Sequence, residues 1–186
     1  MSRSERTRER LQTEALRLFS ERGFDAVTVE EVARAAGVSH MTFFRHFPTK
    51  ESVVLDDPYD PILGEAVKHQ DPGLPALERV RRGILDAWRE DTDEPGDEMT
   101  RTRIELAVSH PSLRARVWEN NRRTEEILIA SLTETGTPRF EAAIAAGAVL
   151  GALTAALFDW VSQTDVGLGE LVTSALELLA PVETLR

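Results

Sequence analysis

The chain has 186 residues, a formal net charge of −10 and no cysteine. This length accommodates one or two small domains with a buried core. The absence of cysteine excludes disulfides, a thiolate nucleophile and cysteine-ligated zinc. No charged and then apolar leader begins the sequence, so a cytoplasmic location is the simplest expectation.

The charge is unevenly distributed along the chain. Residues 1–50 contain nine Lys and Arg against seven Asp and Glu, whereas the remaining 136 residues contain 13 against 25. A small cationic face on a larger acidic body is typical of a protein that docks on DNA through one part of its surface. The basic side chains that crowd the N-terminus are Arg3, Arg6, Arg8 and Arg10. A solvated helix end with interleaved glutamates is the alternative interpretation of this cluster.

An amphipathic helix is predicted from Ser2 or Ser4 to about Arg22. Ser2 and Glu5 have the spacing of a capping box, in which each side chain bonds the other residue's backbone N–H. The next helices are too short to be stable alone, so we expect the apolar stripe of the first helix to pack across them. That stripe consists of Leu11, Ala15, Leu18 and Phe19.

Two short helices joined by a glycine turn are predicted next. Thr28 and Glu31 form a second capping box at the start of the first. Gly37 permits the positive φ that ends it, and Ser39 caps the following helix. Pro48 ends that second helix. A helix, a short glycine turn and a second helix with a polar tip form the helix-turn-helix layout.

The second short helix has the side chains expected of a helix that enters a DNA groove. Phe43 and Phe47 are four residues apart and are predicted to pack inward together. The polar side chains left on the other side are His40, Thr42, Arg45 and His46. An ordinary pair of bundle helices is the alternative, but a core helix of this length does not normally group such residues beside a capping Lys.

A dense set of motifs covers about the first 55 residues: Gly23-Phe24, Thr28-Val29, Ala36-Gly37-Val38-Ser39, Thr42 to Phe47, and Lys50-Glu51. With these motifs, the segment resembles the DNA-binding domain of the TetR family of bacterial transcriptional regulators. The family commonly has Tyr at the position of Phe44, and that hydroxyl reaches a phosphate, so Phe44 is a departure that leaves only van der Waals contact. The residues predicted to contact DNA are Thr28, Ser39, His40, Met41, Thr42, Phe44, Arg45, His46 and Lys50.

Residues 51–75 are the least regular part of the sequence. Pro58 and Pro61 are expected to interrupt a fourth helix that Thr49 caps. The resemblance implies that this helix links the DNA-binding head to the body and transmits ligand binding. We therefore expect an all-α fold, in which a three-helix helix-turn-helix domain (residues 1–55) precedes a larger helical domain for ligand binding and dimerisation (residues 56–186).

The body is predicted to be helical throughout, because no strand-like alternation occurs. The predicted helices cover residues 76–91, 98–109, 111 to about 136, 142–158 and 168–179, with a loop at 92–97. Residues 142–158 are the most apolar stretch, and their 17 uncharged residues fall short of the roughly 20 that a membrane span needs. We expect a helix that is buried on nearly all sides, and no contact with a membrane.

The last two helices are the predicted homodimer interface, as the resemblance implies. Gly147 and Gly151 are four residues apart, so they share a face on which another helix can approach closely. A dimer is also favoured because one head contacts only half of a two-fold operator. The alternative is that both helices only complete the core of one protomer.

The body also carries residue types expected of a pocket for a small apolar effector, which members of the resembled family commonly bind. For each residue the alternatives are plain core for the aromatic side chains and a solvated face for the polar ones. Arginine binds carboxylates and phosphates through bidentate hydrogen bonds, so an effector with an anionic head, such as an acyl-CoA, is one candidate. The predicted ligand-binding residues are Trp88, Met99, Arg103, Ile104, Trp118, Asn121, Arg122 and Phe158.

The sequence therefore favours a ligand-responsive regulator, most simply a repressor released by its effector from an inverted-repeat operator in double-stranded DNA. No HExxH, Walker loop or dinucleotide-binding glycine motif occurs. We predict no enzymatic activity, cofactor, metal site or catalytic residue. A small-molecule sensor or carrier that has lost DNA binding is the alternative, favoured by the acidic charge and by Phe44.

Overall fold

The computed structural model describes residues 2–56, 60–90, 97–163 and 165–180. Within these ranges the regular structure is helical, as the all-α prediction requires. The helices are α1 (Arg3–Arg22), α2 (Val29–Ala35), α3 (His40–His46), α4 (Ser52–Leu55), α5 (Asp60–Lys68), α6 (Ala76–Glu90), α7 (Asp97–Ser109), α8 (Pro111–Glu134), α9 (Arg139–Trp160) and α10 (Leu168–Glu177). Most of the loop predicted at 92–97 lies outside the described residues.

The chain forms two compact units, one of which contains more than the predicted head. Unit 1 comprises Met1–Asp56 and Glu98–Asn120, and unit 2 comprises Asp57–Asp97 and Asn121–Arg186. The break at Asp56 adjoins the predicted boundary, but α7 and the start of α8 belong with the N-terminal helices. The reason is a shared core, since Leu106 and Leu113 are buried in the same cluster as the side chains of α1 and α3. As a functional division, residues 1–55 and 56–186 stay a prediction.

Local hydrogen bonds determine where α1 and α2 begin, as predicted. Ser2 N–H donates to the Glu5 carboxylate (2.7 Å) and Glu5 N–H donates to Ser2 Oγ (3.1 Å). Thr28 and Glu31 make the equivalent bonds, of 2.8 and 3.2 Å, before α2. Gly37 has the predicted positive φ of 65° after α2. Both predicted capping boxes are therefore confirmed.

The fourth helix is shorter than the sequence suggested. Thr49 and Ser52 exchange hydrogen bonds, with Ser52 N–H donating to Thr49 Oγ1 (3.1 Å) and Thr49 N–H to Ser52 Oγ (3.2 Å). Thr49 thus caps the turn as predicted, but α4 has only four residues. The next helix, α5, has Pro61 in its first turn, where a proline is tolerated. Pro58 lies outside the described residues.

Unit 2 is built around α6, which packs against α5, α9 and α10. The approach of α5 requires Gly83, because a Cβ there would lie 2.9 Å from the Val67 Cα. Arg79 of α6 is almost fully buried and donates to Thr137 Oγ1 (3.0 Å) and Thr135 Oγ1 (2.5 Å) beyond the end of α8. A cation at a helix C-terminus is favourable because the helix dipole is negative there.

Helix α9 is less buried than predicted. Its fully covered residues face α6 and α10, and they are Ala142, Ala145, Ala146, Val149 and Trp160. The opposite side of the helix is exposed in the protomer, at Phe140, Ile144, Ala148, Gly151 and Ala155. The predicted burial on nearly all sides is therefore wrong for a single protomer. By length and composition α9, with a mean hydropathy of 1.8, is also apolar enough to cross a membrane, so the expected lack of membrane contact stays a prediction.

Candidate nucleic-acid interface

Helix α3 is held in unit 1 by a cap at its N-terminus and by the buried side chains on one of its faces. Ser39 Oγ accepts a hydrogen bond from Thr42 N–H (3.2 Å), which caps the helix as predicted. Phe43 and Phe47 are both fully buried, so the predicted inward pair is also present. Their burial orients the remaining side chains of this seven-residue helix toward solvent.

The outward side of α3 combines apolar surface with one cation. Met41 is 74% exposed and Phe44 is 39% exposed. Arg45 is exposed as well, and no carboxylate of the described residues pairs with it. At 100° per residue these three side chains share one face of the helix. His40 lies at its edge, where its ring centroid is 4.8 Å from that of Phe44.

Other predicted DNA-contacting residues are engaged within the protein. Thr28 and Ser39 are helix caps, and His40 Nε2 lies 3.4 Å from Glu30 Oε1. His46 is half-buried on the inner side of α3, and burial lowers the pKa of its imidazole, with smaller contributions from nearby arginines. The contacts of these residues with DNA stay predictions.

Lys50 points back into unit 1. Its ammonium donates a hydrogen bond to the Phe24 carbonyl and lies 4.3 Å from the Phe24 ring centroid and 5.4 Å from that of Phe19. Burial lowers the pKa of this ammonium, while Asp25 and two glutamates oppose the shift. The predicted phosphate contact would require Lys50 to leave the Phe24 carbonyl.

The predicted effector residues are divided between the two units. In unit 1, Trp118 is 68% exposed and Met99 is 36% exposed, whereas Ile104 is half-buried. Arg103 Nε donates to the Val54 carbonyl (2.9 Å) and Nη2 to the Asp56 carbonyl (3.2 Å). Two donors of Arg103 are therefore occupied by the end of α4.

The unit 2 members of this set lie on α6, α8 and α9. Trp88 and Phe158 are half-buried, and Arg122 is exposed. Asn121 Nδ2 donates to Thr154 Oγ1 (2.7 Å), which joins α8 to α9. Phe158 follows Thr154 by one turn on the same side of α9. The effector role of all eight residues stays a prediction.

Arg8 is a residue whose position the sequence analysis missed. Its Nη1 donates to the carbonyl of His46 (2.9 Å), and its Nη2 lies 3.3 Å from Asp56 Oδ2. The guanidinium also stacks 4.3 Å from the ring centroid of Phe47. Spacing could have revealed that Arg8 faces inward, because it stands three residues before Leu11 and so falls on the inward stripe of α1, but it does not reveal which carbonyl Arg8 bonds.

Comparisons with known proteins agree with this architecture. Residues 12–56 match the model of bacterial regulatory proteins of the tetR family, and residues 74–184 match the MftR C-terminal domain. The HTH-type transcriptional regulator TcmR of Streptomyces glaucescens is 32% identical over 95% of this chain and 84% of its own length. The putative mycofactocin biosynthesis transcriptional regulator MftR of Mycobacterium tuberculosis is 25% identical over 89% of this chain and 85% of its own.

A solved structure extends the likeness to the fold. The crystal structure of Thermus thermophilus FadR, a TetR family transcriptional repressor in complex with lauroyl-CoA, has a TM-score of 0.51 and 27% sequence identity, and the match covers 92% of each chain. Both parts of the sequence, the helix-turn-helix segment and the helical body, thus match regulators of one kind. The chain belongs to the TetR family of transcriptional regulators.

Proposed function

We propose that this protein is a cytoplasmic repressor that binds an inverted-repeat operator as a homodimer and leaves it when a small apolar effector binds. The observation that carries the proposal is the outward face of α3. Arg45 is a guanidinium with no carboxylate partner among the described residues, of the kind that donates two hydrogen bonds to a guanine edge, and Phe44 is suited to contact a thymine methyl group. The Phe44 departure thus removes a phosphate contact but leaves an apolar one.

The exposed stripe of α9 supports a second copy of this chain as the dimer partner. The stripe residues, from Phe140 (80% exposed) to Ala155, are apolar with Glu141 at their edge, and Leu178, just after α10, is 88% exposed. A Cβ added at Gly151 would meet no atom within 4 Å in the protomer, so a partner helix can approach closely there. An exposed apolar face of this kind is typical of a two-fold interface.

We place the effector in unit 2, beside the hydrogen bond that joins Asn121 to Thr154. Trp88 and Phe158 supply half-buried aromatic surface, and Arg122 is an exposed cation with no described carboxylate partner. This combination suits an apolar chain with an anionic head. The similar FadR of Thermus thermophilus was solved with lauroyl-CoA, so an acyl-CoA is the effector class that we propose. Arg103 is not part of this proposed site, because it already bonds the carbonyls of Val54 and Asp56 in unit 1.

The proposal is tested with purified protein and the DNA upstream of its own gene. We expect lauroyl-CoA to raise the melting temperature by mass action and to release the DNA, because coupling between two sites is reciprocal. Coenzyme A and lauric acid, each tested alone, show whether the response requires both the anionic group and the acyl chain of the effector. Arg122→Ala should weaken the response and spare operator affinity, with Arg123→Ala as the matched control.

The two halves of the proposal can fail separately. If the acyl-CoA shifts neither the melting temperature nor DNA binding, this effector class is wrong. If the acyl-CoA shifts the melting temperature but the protein does not bind the DNA upstream of its gene, a sensor that has lost DNA binding is the better description.

A further inference from the structure

Arg103 of α7 supplies a hydrogen bond that the sequence has removed from α4. If α4 continued, the Val54 carbonyl would accept a hydrogen bond from the N–H of residue 58. That residue is Pro58, which has no N–H. Arg103 Nε donates to the Val54 carbonyl instead, and its Nη2 donates to the carbonyl of Asp56.

Asp56 connects this arginine to a second one. While its backbone carbonyl accepts from Arg103, its side-chain carboxylate lies 3.3 Å from Arg8 Nη2. The Asp56 and Arg8 side chains are 19% and 29% exposed, so solvent screens this pair less than one on the open surface. A single residue after α4 is thus held by arginines from α7 and from α1.

Arg8 connects Asp56 to the C-terminal end of α3. Its Nη1 donates to the carbonyl of His46, the last residue of α3, and its guanidinium stacks on Phe47. A cation that bonds a C-terminal carbonyl also interacts favourably with the helix dipole. Arg45, the side chain that we place on a guanine, directly precedes His46. The angle at which α3 presents Arg45 therefore depends on Arg8.

We infer that Arg103 and Asp56 are positioning residues for DNA recognition: together with Arg8 they hold the C-terminal end of α3, so that α7 determines how α3 meets the operator. This inference rests on the proposed function of α3. Neither Arg103 nor Asp56 touches DNA in this arrangement. Removal of either should lower the affinity for the operator and leave the non-specific, phosphate-driven affinity unchanged.

The test compares operator DNA with an unrelated duplex at several salt concentrations, using the full chain. We expect Arg103→Ala and Asp56→Asn each to weaken operator binding by about tenfold, within the usual range of coupling between sites. The salt slope should not change, because no phosphate contact is lost. Arg114→Ala, an exposed arginine of unit 1 with no described partner, is the matched control.

The double variant Arg103→Ala/Asp56→Asn distinguishes a connected chain from two independent contacts. If both residues act through Arg8, the double variant should bind the operator about as well as each single variant. Asp56→Asn retains the carbonyl that accepts from Arg103, so it keeps the test decisive if Arg103→Ala fails to fold. Additive losses, equal losses on both duplexes or unchanged operator binding would overturn the inference. If the unaltered protein does not bind its operator, the proposed function fails instead.

Discussion

Helices α3 and α9 both expose apolar side chains, but their positions are determined in different ways. Helix α3 has seven residues, and it depends on the Ser39 cap, on two buried phenylalanines and on Arg8 at its end. Helix α9 has 22 residues and no side-chain cap at Pro138. Helices shorter than about 12 residues are marginal alone, so α3 depends more on the contacts that unit 1 supplies than the longer α9 depends on those of unit 2.

The exposed faces of the two helices differ in the same sense. That of α3 ends in the cation Arg45, which suits a charged partner with polar base edges. That of α9, from Phe140 to Ala155, has mostly apolar and small side chains with Glu141 at its edge, which suits a second copy of the same face. Exposed apolar side chains alone therefore do not identify the partner. The charged, polar or apolar side chains beside them determine which kind of partner fits.

The largest effect is expected from Gly151→Arg in α9. The protomer has room for a side chain at Gly151, so the variant should fold with normal helical content. Across a two-fold axis, two added charges would lie in an apolar interface, and the dimer should dissociate. A single head should then bind DNA near the non-specific level, about 10³-fold or more below specific affinity.

Sedimentation together with operator titration measures this effect. Ala130→Arg, at an exposed position of α8, is the matched control and should leave the dimer intact. If Gly151→Arg remains a dimer, the dimer interface does not include the exposed stripe of α9.

A smaller effect is expected from Arg45→Ala in α3. If Arg45 binds a guanine edge, its loss should cost about 1–3 kcal/mol of operator binding and relax the base preference at one position. Binding to a panel of operators with single base changes measures both. Arg34→Ala, an exposed arginine of α2, serves as the control. If Arg45→Ala and the unaltered protein show the same base preference, Arg45 does not contact a base.

Lys50→Ala separates a DNA contact from an internal one. A lost phosphate contact should weaken binding to all sequences alike and reduce the salt slope by about one. The Phe24 carbonyl also loses its donor, so unfolding should become easier by roughly 1 kcal/mol. A lower stability with an unchanged salt slope would show that Lys50 acts only inside unit 1.

The smallest effects concern acid stability in the two units. Hydrogen bonds from Thr28 N–H and then Arg22 lower the pKa of Glu31 in unit 1 to about 2, and Arg81 followed by Arg82 lowers that of Glu78 in unit 2 to about 2. Because both folded pKa values lie below the ordinary 4.5, the stabilisation is present above pH 4.5 and is lost as the pH falls toward 2.

Urea unfolding at pH 5 and pH 3 tests these two carboxylates. We expect Glu31→Gln and Glu78→Gln each to lose less stability between these values than the unaltered protein loses. An unchanged loss in either variant would show that its carboxylate does not contribute to the acid sensitivity.

The head could be predicted well because its signals are local. Each of the caps at Ser2, Thr28 and Ser39 involves residues three apart, and Gly37 determines its own turn. The inward pair Phe43 and Phe47 follows from helical spacing alone.

The contacts of the arginines could not be predicted, because they join residues far apart in the sequence. Arg8 bonds a carbonyl 38 residues away, and Arg103 bonds one 49 residues away. No periodicity encodes such a pairing, and residue type alone predicts an effector contact for Arg103. The burial of α9 was overestimated for a related reason, since apolar composition does not distinguish a protomer's own core from a surface that a partner covers.

Hydroxyl-radical footprinting of the DNA upstream of the gene tests the central claim most directly. A dimer that presents two α3 helices should protect two patches of an inverted repeat, with centres about 34–36 Å apart or a multiple of that distance. Protection of a single patch, or of none at protein concentrations well above the roughly 10⁻⁸–10⁻¹¹ M typical of specific DNA binding, would contradict a dimeric operator-binding regulator.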